Sequence, residues 1–179
     1  MITLSDAQWV TAAVTCTEAK YLVTLMSPQT MCEAPSPIAR ANHLKLEVDD
    51  IELPVAGYAC PREEHIEQLL EFGHQLDEDA DIVIHCVMGL SRSPAAMMIL
   101  LAQKNPKRAE DVVGWICRKV PSVRPNRLML AIGDRLLGCD GALLSSAWAG
   151  LPPAPMDKPT YRGSLDGFES FPLYLDVAN

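Results

Sequence analysis

Apolar and polar positions alternate along the chain in a way that divides it into short strands and helices. Ile2 to Leu4 is a brief apolar run that predicts a first strand. Ser5-Asp6-Ala7-Gln8 has the S-x-x-Q form of a capping box, which places a helix start at Asp6 and carries the helix to about Ala19. Tyr21-Leu22-Val23-Thr24-Leu25-Met26 reads as a buried strand ended by Ser27-Pro28, and residues 28–41, with Pro28, Pro35 and Pro37, read as a loop. His43-Leu44-Lys45-Leu46-Glu47-Val48 alternates polar with apolar, the mark of a strand with one buried face. Asp49-Asp50-Ile51-Glu52-Leu53-Pro54 follows as a loop at its carboxyl end.

The second half repeats the scheme with longer helices. Pro61 at a first helical position, followed by Glu63 and Glu64, predicts a helix whose Ile66, Leu69, Leu70, Gly73 and Leu76 share one face. Asp81-Ile82-Val83-Ile84 returns as the central strand. Pro94 to about Lys104 is apolar almost all round, which marks a buried helix. Arg108 to Lys119 and Pro125 to about Leu137 are amphipathic, through Val112, Val113 and Ile116 in the first and Leu128, Ala131, Ile132 and Leu136 in the second. Helices alternating with apolar strands predict an α/β fold, with a mainly parallel central sheet of four to five strands and helices on both faces. The 179 residues suit a single domain, residues 1–179, with a core over about 1–138. Residues 139–179 form a Pro/Gly-rich extension, packed on the core or partly flexible; Phe168, Phe171, Leu173, Tyr174 and Leu175 favour a packed strap.

Composition narrows the function. A net charge of −8 argues against a general nucleic-acid binder, which needs a basic face. No apolar stretch is long enough to cross a bilayer, and the N-terminus lacks the layout of a signal peptide. Cys16, Cys32, Cys60, Cys86, Cys117 and Cys139 are scattered, with no C-x-x-C pair, as expected of a cytoplasmic chain. His43, His65 and His74 stand at no metal-ligand spacing with any cysteine, so neither a metal nor another cofactor is expected.

The chemistry concentrates in Val83-Ile84-His85-Cys86-Val87-Met88-Gly89-Leu90-Ser91-Arg92-Ser93-Pro94, a buried strand, a tight loop and a helix start. Five residues separate Cys86 from Arg92, enough for a loop to curl round one tetrahedral anion, phosphate or sulfate. The N–H groups of Val87, Met88, Gly89, Leu90, Ser91 and Arg92 would point inward, with the positive end of the helix beneath them. That field and Arg92 favour the thiolate of Cys86 and make it a nucleophile. Arg92 adds a planar fork that grips two phosphate oxygens.

His85-Cys86, five residues, Arg92-Ser93, with Gly89 mid-loop, resembles the signature of the cysteine-dependent protein tyrosine phosphatases, in particular the compact dual-specificity branch. The resemblance covers roughly residues 20–138 and implies a phosphatase-type fold and metal-independent hydrolysis of phosphomonoesters through a phosphocysteine on Cys86. It further implies that Ser93 helps the thiolate leave, that His85 orders the loop, and that Asn126, in Arg124-Pro125-Asn126, supports it. Ser93 and Asn126 also suit helix N-caps. The family carries a general acid on an upstream loop, and Asp49 and Asp50 are the two candidates. Asp50-Ile51-Glu52-Leu53-Pro54 resembles the acid loop of bacterial members of the branch, which favours Asp50.

Between Cys86 and Arg92 there is no Lys or Arg, whereas inositide phosphatases of the superfamily usually carry basic residues there, so the resemblance implies monophosphate substrates, phosphotyrosine or another aryl phosphate by default and phosphoserine if the pocket is shallow. Partners are then phosphorylated proteins or other phosphomonoesters, and no nucleic acid or membrane is expected. The rival readings are a phosphate-binding protein without turnover and a rhodanese-like sulfurtransferase. Arg92-Ser93, the Asp loop and Pro125-Asn126 speak against the second.

Overall fold

A computed structural model of the chain describes residues 1–77, 79–149 and 168–171. The strands, in chain order, are β1 (Ile2–Ser5), β2 (Tyr21–Met26), β3 (His43–Glu47), β4 (Ile82–His85) and β5 (Phe168–Phe171). They form one sheet in the order β3-β2-β4-β1-β5. The first four are parallel, and β5 runs antiparallel to β1 at the edge. The expected mainly parallel sheet is therefore present, with five strands. Its helices are α1 (Val10–Thr17), α2 (Glu63–His74), α3 (Arg92–Lys104), α4 (Ala109–Lys119), α5 (Arg127–Leu137) and α6 (Ala142–Ala149).

The period-two alternation of each strand sorts its side chains between two unequal layers. Leu4, Val23 and Ile84 lie side by side by register and belong to the large core built with α2 to α6. Leu22 and Val83 point the other way, under α1, where Val10, Ala13 and Val14 complete a smaller cluster. The same alternation sends Cys86 to the large-core side and His85 to the α1 side.

α3 is buried from Arg92 to Ala102, as its all-round apolar sequence requires, because it lies between the sheet and the other helices. Two glycines allow that crowding. A Cβ on Gly133 of α5 would stand 2.6 Å from the Ile99 side chain, and one on Gly73 of α2 would stand 2.6 Å from that of Leu100. Asp134 links α5 to α6: its carboxylate accepts from the N–H groups of Gly141 (2.7 Å) and Leu143 (2.8 Å).

Helix starts differ from expectation: α3 opens at Arg92, two residues before Pro94, and α5 at Arg127, two residues after Pro125, behind its cap Asn126. The first helix begins at Val10, after a turn in which Asp6 Oδ1 accepts from the Trp9 N–H at 2.8 Å. The N-cap is Trp9, without a side-chain cap, and Ser5 is the last residue of β1, donating to the Asp6 carbonyl at 3.0 Å, so the expected capping box does not form. α2 begins at Glu63 because Arg62 is extended (φ −134°, ψ 171°), so Pro61 stands before the helix instead of opening it. The extension past residue 138 contributes more than a strap. α6 packs on α4 and α5, and β5 extends the sheet, with Phe171 edge-on to Trp115 at 5.2 Å. Leu173, Tyr174 and Leu175 lie outside the described residues.

Candidate active site

Parallel strands with helical crossovers send their loops out at the carboxyl ends, and the sheet order places β4 between β2 and β1. Cys86 follows β4 directly, with only 2% of its surface exposed. Gly89 takes φ 71°, a left-handed conformation that any side chain would strain, and this turns the chain back towards α3.

The loop's carbonyls are held outward. Val87 O accepts from Ala7 N (3.1 Å), Leu90 O from Arg124 N (2.7 Å), and Ser91 O from Asn126 N (3.2 Å) and Ala95 N (3.2 Å). In a planar trans peptide the following N–H points opposite to the carbonyl. The N–H groups of Met88, Ser91 and Arg92 are thereby turned towards the loop's interior. No acceptor is found among the described residues for the N–H groups of Val87 to Ser91. Donors collected round one point make a seat for an anion.

Arg92 lies at the base of that seat, 5% exposed. Its Nη1 donates to Val48 O at 2.8 Å, while Nε is buried without an acceptor. No carboxylate pairs with Arg92 among the described residues. A buried cation held by one neutral carbonyl favours an anion beside it. Ser93 Oγ donates to Cys86 Sγ at 3.2 Å, from the first turn of α3.

The two candidate carboxylates, adjacent in sequence, are separated by their partners. Asp49 is largely buried and committed: Oδ1 accepts from Ser27 Oγ (2.5 Å) and Oδ2 from Ala59 N (2.7 Å), while its own N–H donates to Ala59 O (2.7 Å). The Ser27 hydroxyl, and then the Ala59 N–H and the charge of Arg92, hold its carboxyl below the usual range against the opposing effect of burial. Asp50 is exposed and turned to the Cys loop, its Oδ1 accepting from Ser91 Oγ (2.6 Å) and Asn126 Nδ2 (3.1 Å).

Asn126 uses both ends of its side-chain amide. Its Oδ1 caps α5 by accepting from Met129 N at 3.0 Å, and its Nδ2 also donates to Ile51 O at 3.2 Å. Glu52 completes the clasp by accepting from Arg127 N at 2.8 Å. The loop after β3 is thus tied both to the Cys loop and to the start of α5.

His85 is fully buried on the opposite face. Its Nε2 shares a 2.8 Å hydrogen bond with Thr24 Oγ1, and that hydroxyl shares another with His43 Nε2, also at 2.8 Å. Burial pushes His85 down to about 4; the Cys86 backbone beside it opposes the shift and His43 adds to it. His85 is accordingly neutral near pH 7. Thr24 and His43 escaped the sequence reading. The one available signal was Thr24, a hydroxyl inside an otherwise apolar strand, which has to find a partner when buried.

No protein-family model matches the chain, and no curated protein matches it. Solved structures do. Human DUSP28 is 14% identical, with 79% of this chain covering 94% of that one at a TM-score of 0.60. The Yvh1 phosphatase domain from Chaetomium thermophilum is 16% identical (79% and 93% covered, TM-score 0.55). PTPMT1 in complex with PI(5)P is 13% identical (77% and 90% covered, TM-score 0.56). The chain has the phosphatase fold of the dual-specificity enzymes, and its Cys86 loop stands at the carboxyl end of the central strand of that fold.

Proposed function

We propose that the protein is a metal-independent phosphoric monoester hydrolase of the protein tyrosine or dual-specificity kind, working through a phosphocysteine on Cys86. One observation carries the reading: the Ser93 hydroxyl on Cys86 Sγ at 3.2 Å, with the Arg92 Nε–H buried and unpaired beside the same loop. A cation and a ring of N–H groups suit a dianion, and a thiol that already accepts a hydrogen bond suits a nucleophile that must also leave.

In the first step the Cys86 thiolate attacks phosphorus, the S–P bond forms, and the bond to the ester oxygen breaks. Arg92 and the N–H groups of Val87, Met88, Gly89, Leu90 and Ser91 hold the three equatorial oxygens. Asp50 gives its proton to the departing oxygen, which leaves as an alcohol or phenol. Oδ1 is taken by Ser91 and Asn126, so the proton travels on Oδ2. In the second step water attacks phosphorus and passes a proton to the Asp50 carboxylate. The S–P bond breaks, inorganic phosphate forms, and Ser93 stabilises the released thiolate. His85 and Asn126 act by positioning. Asp49, occupied by Ser27 and Ala59, anchors the acid loop. Phosphotyrosine in a protein is the substrate this reading favours, in the cytoplasm.

The test is hydrolysis of para-nitrophenyl phosphate in chelator by the wild type and by Cys86→Ser. Turnover in chelator that the substitution abolishes is the expected result. Phosphopeptide binding without turnover would make the protein a phosphate reader instead, and cyanide-dependent thiosulfate turnover would make it a sulfurtransferase.

A further inference from the structure

Soluble proteins leave scattered apolar side chains exposed, but here they are not scattered. Among the described residues the large exposed ones are Met1, Trp9, Leu53, Val55, Tyr58 and Val87. All but Met1 lie on loops leaving the carboxyl ends of β1, β3 and β4. In the sheet order, β4 with Cys86 has the Trp9 loop on one side and, beyond β2, the Leu53–Tyr58 loop on the other.

Hydrogen bonds hold both loops to the Cys loop. The Ala7 N–H on Val87 O, at 3.1 Å, fixes the turn carrying Trp9 against Val87. Ser91 on Asp50, at 2.6 Å, and the paired bonds between Asp49 and Ala59 close the other loop at its base. Leu53 is 74% exposed near the far end of that closed loop, and Tyr58 58% exposed beside its base, next to Ala59.

Charge sharpens the inference. Segments 5–9, 50–58 and 87–91 hold Asp6, Asp50 and Glu52, and no Lys or Arg. Of the cations just beyond them, Arg92 belongs to the anion seat, Arg62 stands exposed four residues past Tyr58, and Arg124 and Arg127 are engaged. Arg124 Nη1 donates to Pro121 O and Val123 O, and Arg127 faces Glu52. Acidic groups beside the phosphorylated residue would meet like charge there, whereas apolar groups would find cover.

We propose that the loops around Cys86 form an apolar collar selecting phosphotyrosine segments with apolar, and not acidic, residues next to the phosphotyrosine. Trp9 and Tyr58 are its specificity-determining side chains, on opposite sides of Cys86. The proposal rests on the phosphatase reading and adds the sequence context of the substrate.

Three phosphotyrosine peptides differing only in Leu, Ala or Glu on either side of the phosphotyrosine test it. The expected order of kcat/KM is Leu, Ala, Glu, spanning at least about ten-fold. Trp9→Ala and Tyr58→Ala should each shrink the Leu-to-Glu ratio about three-fold or more. Affinities of the same peptides for Cys86→Ser, measured alongside, should follow the same order. Equal rates, a preference for Glu, or a ratio that neither substitution moves would overturn the collar. So would faster hydrolysis of PI(5)P in phosphatidylcholine vesicles than of the Leu peptide. Wild type that hydrolyses para-nitrophenyl phosphate yet treats the peptides alike would sink the collar alone. Failure to hydrolyse para-nitrophenyl phosphate would sink the phosphatase reading, and the Cys86→Ser affinities would then decide the collar.

Discussion

Ser91 donates its hydroxyl to Asp50 Oδ1 at 2.6 Å, so the loop that would bind phosphate also holds the carboxyl proposed as general acid. Asn126 donates to the same oxygen at 3.1 Å. The acid loop is therefore positioned before substrate arrives. A contact of this kind is worth about 1 kcal/mol net, roughly five-fold in rate.

Asp50→Ala should lower kcat on alkyl phosphates by about 100-fold or more, because a poor leaving group needs its proton. Turnover of para-nitrophenyl phosphate, whose leaving group needs little help, should fall far less. Ser91→Ala should act in the same direction on alkyl phosphates, by about five-fold. Equal losses on both substrates would remove Asp50 from the role.

Ser93→Ala should slow the second step more than the first. A burst of nitrophenol followed by a slower steady rate is expected, with phosphorylated protein visible by mass spectrometry after an acid quench. A uniform loss with no burst would remove Ser93 from the second step.

Stability should fall on acidification through a window that His85 defines. Unfolded, the imidazole titrates near 6.5; folded, burial brings it down to about 4. Between those values the unfolded chain binds the extra proton, so stability is full above about pH 6.5 and is lost as the pH drops towards 4. The shift corresponds to roughly 3 kcal/mol. Urea titrations at several pH values should show this slope, and His85→Gln should flatten it.

The Thr24 hydroxyl has one proton for two imidazoles, so it donates to one and accepts from the other. A protonated His43 can only donate, which obliges Thr24 to donate to His85 Nε2 and leaves His85 its proton on Nδ1, beside the Cys86 backbone. Thr24→Val should free the two rings. Nitrogen NMR should then show mixed His85 tautomers where the wild type shows one at a pH that protonates His43.

Two glycine substitutions should have opposite signs. Gly133→Ala would drive a Cβ against Ile99 between α5 and α3, costing about 1–3 kcal/mol despite alanine's better helix propensity. Gly114→Ala in α4 would meet only the Arg118 side-chain end at 3.1 Å, which can move aside, and should stabilise by up to about 1 kcal/mol. Thermal melts of the two variants make the comparison.

Those contrasts separate what was local from what was not. The Cys86 loop was legible because its parts are consecutive: strand, glycine turn and helix start fit within twelve residues. Alternation left Asp49 and Asp50 as a pair, and only the resemblance of Asp50-Ile51-Glu52-Leu53-Pro54 to an acid loop favoured Asp50. Alternation says that neighbours point apart, and it took Ser27 and Ala59 to claim Asp49 and Ser91 and Asn126 to claim Asp50. The His43–Thr24–His85 chain depends on the register of three strands, which no single strand encodes.

By itself the sequence determined the mainly parallel α/β class and set Cys86, Arg92 and Ser93 in one strand–loop–helix segment. These follow from spacing along one chain segment. Only the tertiary structure decided which carboxylate faces the loop, that residues 168–171 pair with β1, and that exposed apolar side chains stand on loops at one end of the sheet. Such relationships join segments far apart in the chain. Their energy comes from burial and hydrogen bonds that exist only once those segments have met.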